Sequence, residues 1–180
     1  SSVKNIENNA FMFCDKLKNV NLEEGIQSIG SYSFSYCTSL DNVSLPNSLK
    51  SIDTYAFYRC SGLTNITMQS GITNIADSSL RNCTSLSSIV IPNTVTSIGD
   101  SAFANCSSLT NISLSNKLAI IGTDAFISCS SLTSIVIPSS VTSIGSSTFQ
   151  AGTMKNITVN KISGSISGSP WGAVGATVTW

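Results

Sequence analysis

Apolar residues fall into columns that recur every 23 positions along the chain. One column is Phe11, Phe34, Phe57, Leu80, Phe103 and Phe126, and three residues beyond it come Cys14, Cys37, Cys60, Cys83, Cys106 and Cys129. Three further on stand Leu17, Leu40, Leu63, Leu86, Leu109 and Leu132. A Val/Ile column follows (Val20 to Ile135), then a Leu/Met/Ile column (Leu22 to Ile137), then a spaced pair such as Val95 and Ile98. The consensus reads A-F-x-x-C-x-x-L-x-x-I-x-[LI]-x-x-x-[VIL]-x-x-I-G. A fixed period of about 20–50 residues marks a solenoid, in which each repeat is one supersecondary unit stacked on the last.

The end of L-x-x-I-x-L alternates apolar and polar, which predicts a strand. Successive coils set these strands in parallel, about 4.8 Å apart, as the ladder of a concave face. The Val95–Ile98 type of pair is too short for a helix and reads as a second short strand. Gly30, Gly99, Gly122 and Gly145 follow it as turn residues. Next comes Asn8, Ser31, Thr54, Asp77, Asp100, Thr123 or Ser146, each a preferred helix N-cap. One helical turn per coil is therefore expected there, with Phe and Cys on its inward side. The expected fold is a right-handed, mainly β solenoid.

Pro46, Pro92 and Pro138 occur in alternate repeats just past the strand, where proline ends pairing and pre-sets a turn. Val3 and Ile6 are in register with Ile26 and Ile29, so the chain opens in the second half of a coil and is expected to be cut from a longer protein. After Phe149, Gly152 stands where Cys is due, and the strand Ile157-Thr158-Val159 comes one residue early. The reading is of repeats over 1–148 and irregular terminal coils over 149–180, with Trp171 and Trp180 covering the open end of the core. Terminal repeats need such a cap because one face has no neighbour.

Composition narrows the function. Nine basic and nine acidic residues balance, against a nucleic-acid footprint or a polybasic membrane surface. The chain has no histidine, which removes the commonest general base and metal ligand. No stretch approaches the length of a membrane span. The cysteines lack the close pairs of metal sites. Stacked copies point their side chains in parallel, which disfavours disulfides although the spacing allows them. They read as small buried hydrophobes with a weak S–H donor.

Ala102-Phe103-Ala104-Asn105-Cys106 and Ile137-Pro138-Ser139-Ser140-Val141-Thr142-Ser143-Ile144-Gly145, set in this period, resemble the BspA-like subclass of leucine-rich repeats. Gly168-Ser169-Pro170-Trp171-Gly172-Ala173 is similar to the terminal coil of that group. The resemblance implies a microbial, extracellular or cell-surface protein used in adhesion, with no catalytic residues to carry over.

Candidate partner-binding residues are the outward strand positions Asn19, Asn21, Asn42, Ser44, Asn65, Thr67, Ser88, Val90, Asn111 and Ser113. That face is neutral and lacks aromatic or arginine anchors, so it reads either as a shallow contact with a large partner or as a solvated strand face. Tyr36 and Tyr58, with Tyr32, Tyr55 and Arg59, form the one aromatic-rich group; it reads as an interaction patch or as aromatic packing over the coil. Sequons at Asn42, Asn65, Asn82, Asn105, Asn111 and Asn156 follow from an Asn- and Ser-rich repeat. The expected function is a monomeric, non-enzymatic module with no cofactor, which binds a protein or glycan on another cell or matrix. The alternative is a stiff spacer that presents another domain.

Overall fold

The computed structural model describes residues 3–162 and 165–180. Fifteen short strands run along them: β1 (Asn5–Ile6), β2 (Asn19–Asn21), β3 (Ser28–Ile29), β4 (Asn42–Ser44), β5 (Ser51–Ile52), β6 (Asn65–Thr67), β7 (Asn74–Ile75), β8 (Ser88–Val90), β9 (Ser97–Ile98), β10 (Asn111–Ser113), β11 (Ile120–Ile121), β12 (Ser134–Ile137), β13 (Ser143–Ile144), β14 (Asn156–Val159) and β15 (Thr177–Thr179). They form two rows, and every pairing is parallel. The first row is built from β2-β4-β6, β8-β10 and β12-β14-β15; the second from β1-β3-β5 and β7-β9-β11-β13. Asn42 pairs with Asn65 and Ile29 with Ile52, so the 23-residue period of the sequence is the register of the stack.

Alternation sets which side chains enter. In β4, Asn42 and Ser44 are exposed while Val43 is buried, with Leu45 buried just beyond. Each strand is short because the chain must turn a corner. Pro46, Pro92 and Pro138 open those corners: their carbonyls accept the N–H of Leu49, Val95 and Val141 at 3.2, 3.0 and 3.1 Å. The intervening coil closes the same turn from Ser115, whose carbonyl accepts from Leu118 at 3.0 Å.

The third side of the coil differs from expectation. No helix forms among the described residues; the stretch from Ser31 to Tyr36 is a run of turns. Ser33, Ser35 and Cys37 donate to the carbonyl three residues back, while the intervening Tyr32, Phe34 and Tyr36 donate to Thr54, Ala56 and Tyr58 of the next coil. Half of the backbone donors thus leave the coil sideways, so this side is a ladder of turns. A helix would have kept those N–H groups to itself. The expected N-caps act between coils as well. Asn8, Asp77 and Asp100 each accept, through Oδ1, the N–H of the residue 23 positions on, all at 2.8 Å.

This turn geometry places two residues of each coil at positive φ, for example Asn9 and Phe13, Tyr32 and Tyr36, Tyr55 and Arg59. Gly99 solves a different problem. A Cβ there would lie 2.7 Å from the Asp77 backbone nitrogen, so glycine lets adjacent coils approach.

The core is a set of vertical stacks. Phe34 and Phe57 stack at 5.3 Å between ring centroids, and Phe103, Phe126 and Phe149 at 5.4 and 5.9 Å. Phe11 stacks on Phe34 at 5.1 Å but is exposed, which corrects the expectation of an inward phenylalanine in the first coil. Leu80 fills the gap between the two phenylalanine runs and is 1% exposed. The far end is closed by Trp171, which is 3% exposed; its Nε1 donates to the Ser167 carbonyl at 2.7 Å, and Trp180 lies against it with centroids 6.4 Å apart. The early strand is real in the pairing: Ser134 meets Asn156, 22 positions on.

Candidate interaction surfaces

The buried cysteines belong to the frame. Cys37, Cys60, Cys83, Cys106 and Cys129 are buried, and all six thiols are free. Their Sγ donates to the carbonyl of the Phe-column residue one coil down: Phe11, Phe34, Phe57, Leu80 and Phe103, at 3.1–3.3 Å. The same carbonyls already accept a backbone N–H from the cysteine of their own coil, as Phe34 does from Cys37 at 3.2 Å. The thiol therefore uses the second lone pair of an oxygen that has no other partner in the core. Burial pushes these thiols up, and a neighbouring thiol adds to it for Cys37, Cys60, Cys83 and Cys106; Cys37 rises to about 11 and Cys129 to about 12. A thiol held neutral this way is a poor nucleophile and a poor metal ligand. Cys14 corrects the expectation of an inward cysteine in every coil: it is exposed, because the first coil has no described coil beneath it.

The first strand row presents its outward residues in straight files. Asn19, Asn42 and Asn65 are paired in register, as are Asn21, Ser44 and Thr67. Ser88 pairs with Asn111 and Val90 with Ser113. All ten are exposed, Val90 at 69%. Val136 on β12 is exposed as well, at 55%, and adds a second apolar point to an otherwise polar face. No pKa perturbation and no ion pair falls on these files among the described residues.

The turn ladder brings the tyrosines together. Tyr32 and Tyr55 stack at 4.7 Å, and Tyr58 meets both Tyr36 and Tyr55 edge-on at 5.4 Å. The Arg59 guanidinium carbon sits 5.4 Å from the Tyr36 ring centre and 5.6 Å from that of Tyr58. The tyrosines are half-buried, so they serve both readings made from the sequence: they pack on the coil and remain accessible. Beside them lies an open depression of about 320 Å³, lined by Tyr36, Thr38, Arg59, Ser61, Asn82 and Thr84. Sequence reasoning named the aromatic group but missed Thr38, Ser61, Asn82 and Thr84. The 23-residue period places them in file with one another and with the aromatic group, but nothing in their residue types marks a depression.

These features define a class: a leucine-rich-repeat solenoid whose accessible chemistry lies on its ladders, consistent with a protein-interaction module. Solenoids of this kind are generally non-enzymatic. The family model described as the BspA type leucine rich repeat region matches six copies, over residues 1–106 and 73–169, and the chain belongs to that family. A leucine-rich repeat protein from Bacteroides ovatus superposes with a TM-score of 0.78 at 25% identity, over 99% of this chain and 53% of that one. The leucine rich repeat protein of T. pallidum gives a TM-score of 0.60 at 27% identity, over 72% of each chain. A leucine rich cell surface protein from Faecalibacterium prausnitzii shares the fold, with a TM-score of 0.54 at 24% identity, over 99% of this chain and 69% of that one. The chain thus spans about half the length of the Bacteroides ovatus protein. No curated protein matches it.

Proposed function

We propose that this chain is the ligand-contacting part of a bacterial cell-surface adhesin, a non-catalytic module that engages macromolecules of another cell or matrix. One observation carries the reading: Tyr32, Tyr36, Tyr55, Tyr58 and Arg59 gather on one accessible stretch, beside the exposed Phe13, of a surface built mainly of short polar side chains. Tyrosine and arginine dominate interface energetics, because they combine large contact area with directional polar groups. The membership in the BspA type family and the likeness to a cell-surface protein support the surface location. In this reading the strand-row candidates Asn19 to Ser113 contribute shallow complementarity around that anchor.

The uncharged, anchor-free strand row also favours a second reading, a stiff spacer. One experiment separates them. The chain is displayed on beads and offered to host cells, matrix proteins and a glycan array. Tyr36→Ala with Tyr58→Ala, and separately Asn42→Arg with Asn65→Arg and Asn111→Arg, are run beside it. An adhesin loses binding in at least the tyrosine variant, with its circular dichroism unchanged. Silence of the unmodified chain on every surface, or indifference to both variants, would sink the adhesin and leave the spacer.

A further inference from the structure

We propose that the depression beside Arg59 is a binding site for a carboxylate-bearing pyranose, such as a uronic or sialic acid unit. This deepens the adhesin reading and rests on it.

The site spans three coils in two files. Tyr36, Arg59 and Asn82 form one, and Thr38, Ser61 and Thr84 the other, each residue 23 positions from the next. Coils about 4.8 Å apart set a width of about 10 Å, room for one sugar ring and its substituents. The volume, about 320 Å³, is at the small end of ligand sites.

Charge is the first argument. Arg59 has no carboxylate partner among the described residues, where the one ion pair is Lys16 with Asp15. The guanidinium lies over the Tyr36 and Tyr58 rings, and its N–H groups make no hydrogen bond among the described residues. No acidic residue lines the depression. A planar, unpaired fork fits a carboxylate in bidentate geometry.

Backbone conformation is the second. Tyr36 and Arg59 sit at φ 62° and 57°, in the file where later coils place Asn82, Asn105 and Ser128 at φ 63°, 61° and 58°. The left-handed region favours asparagine and is costly for bulky side chains. The turn itself therefore does not select tyrosine and arginine at these two coils.

The remaining lining identifies the rest of the ligand. Thr38, Ser61 and Thr84 offer hydroxyls and Asn82 an amide, groups that both donate and accept. Such a set matches the vicinal hydroxyls of a sugar; the Tyr36 ring, covered by Phe13 on one side and Arg59 on the other, walls the site and holds the arginine. An acidic peptide would need an apolar recess for neighbouring side chains or a free strand edge, and the lining supplies neither.

The test titrates the intact chain with sialyllactose and with a glucuronate disaccharide, followed by ligand-observed NMR. Lactose and a short poly-glutamate peptide serve as comparisons. At least one acidic sugar should bind at least about tenfold more tightly than either comparison, as expected for a charge-assisted bidentate contact. Arg59→Gln should lose that preference, and Asn82→Asp, which keeps the shape and places a carboxylate in the site, should repel acidic sugars. Asn82→Asp carries the test alone if Arg59→Gln does not fold. Equal binding of lactose or of poly-glutamate, no binding of either acidic sugar, or indifference to Asn82→Asp would overturn the proposal. Bead binding to cells without acidic-sugar binding refutes this site and spares the adhesin; acidic-sugar binding without cell binding does the reverse.

Discussion

Alkaline pH should attack this protein from the inside. Cys60, Cys83, Cys106 and Cys129 are sealed in the core, where burial pushes all four thiols up, Cys129 to about 12. In an unfolded chain the same groups ionise near ~8.5. A folded value above the unfolded one gives stability that is intact below ~8.5 and lost as pH rises, because the unfolded chain sheds protons the folded chain keeps. At about pH 9.5, one unit above the unfolded value, each thiol costs about 1.4 kcal/mol and the four together about 6 kcal/mol. That is comparable to the whole stability of many domains, roughly 5–15 kcal/mol. Urea unfolding followed by circular dichroism under reductant, at about pH 7 and 9.5, measures the loss. Other alkaline titrations are common to both chains when the wild type is compared with Cys83→Ser, which should recover about 1.4 kcal/mol of the loss. A variant carrying serine at all four positions should recover most of it. If wild type and Cys83→Ser lose the same stability within about 0.3 kcal/mol, the thiols are not the neutral donors described above.

Three further outcomes are expected. Brief iodoacetamide treatment of the native protein should label Cys14 alone, by peptide mass spectrometry, and the other five only after unfolding; early labelling of Cys83 would contradict its burial. Phe103→Ala, which deletes a buried ring stacked on Phe126, should cost about 3–5 kcal/mol in urea unfolding. Glu24→Gln should flatten the acid side of the stability profile. Its carboxylate is held below the ordinary range mainly by the N–H groups of Asn47 and Ser48, so its contribution is present at neutral pH and fades as pH falls.

The sequence carried the vertical order of this molecule almost completely. Each core column became a stack, because a solenoid turns sequence period directly into strand register, as Asn42 against Asn65 shows. The helical turn was the misreading. Asn8, Asp77 and Asp100 do cap free N–H groups, but of the next coil, and side-chain chemistry alone cannot tell an intracoil donor from an intercoil one. Positive φ at Tyr36 and Arg59 was hidden for a related reason: bulky residues are poor markers of the left-handed region, whereas Asn82 and Asn105 in the same file are good ones. The tyrosine group was legible as composition. Its polar surround at Thr38, Ser61, Asn82 and Thr84 was not, because ordinary serines and threonines gain meaning only beside a depression.

The sideways bonds of the turn ladder bear on what happens when such a molecule is pulled. Strand rows and turns alike join each coil only to its neighbours, and these bonds run along the stacking direction. Tension applied between the two ends would open them one rung at a time, like a zip, instead of shearing many at once. Each rung that yields frees 23 residues, roughly 76–83 Å of extended chain. A tether that pays out slack in equal steps keeps its load nearly constant while the distance between two bodies grows.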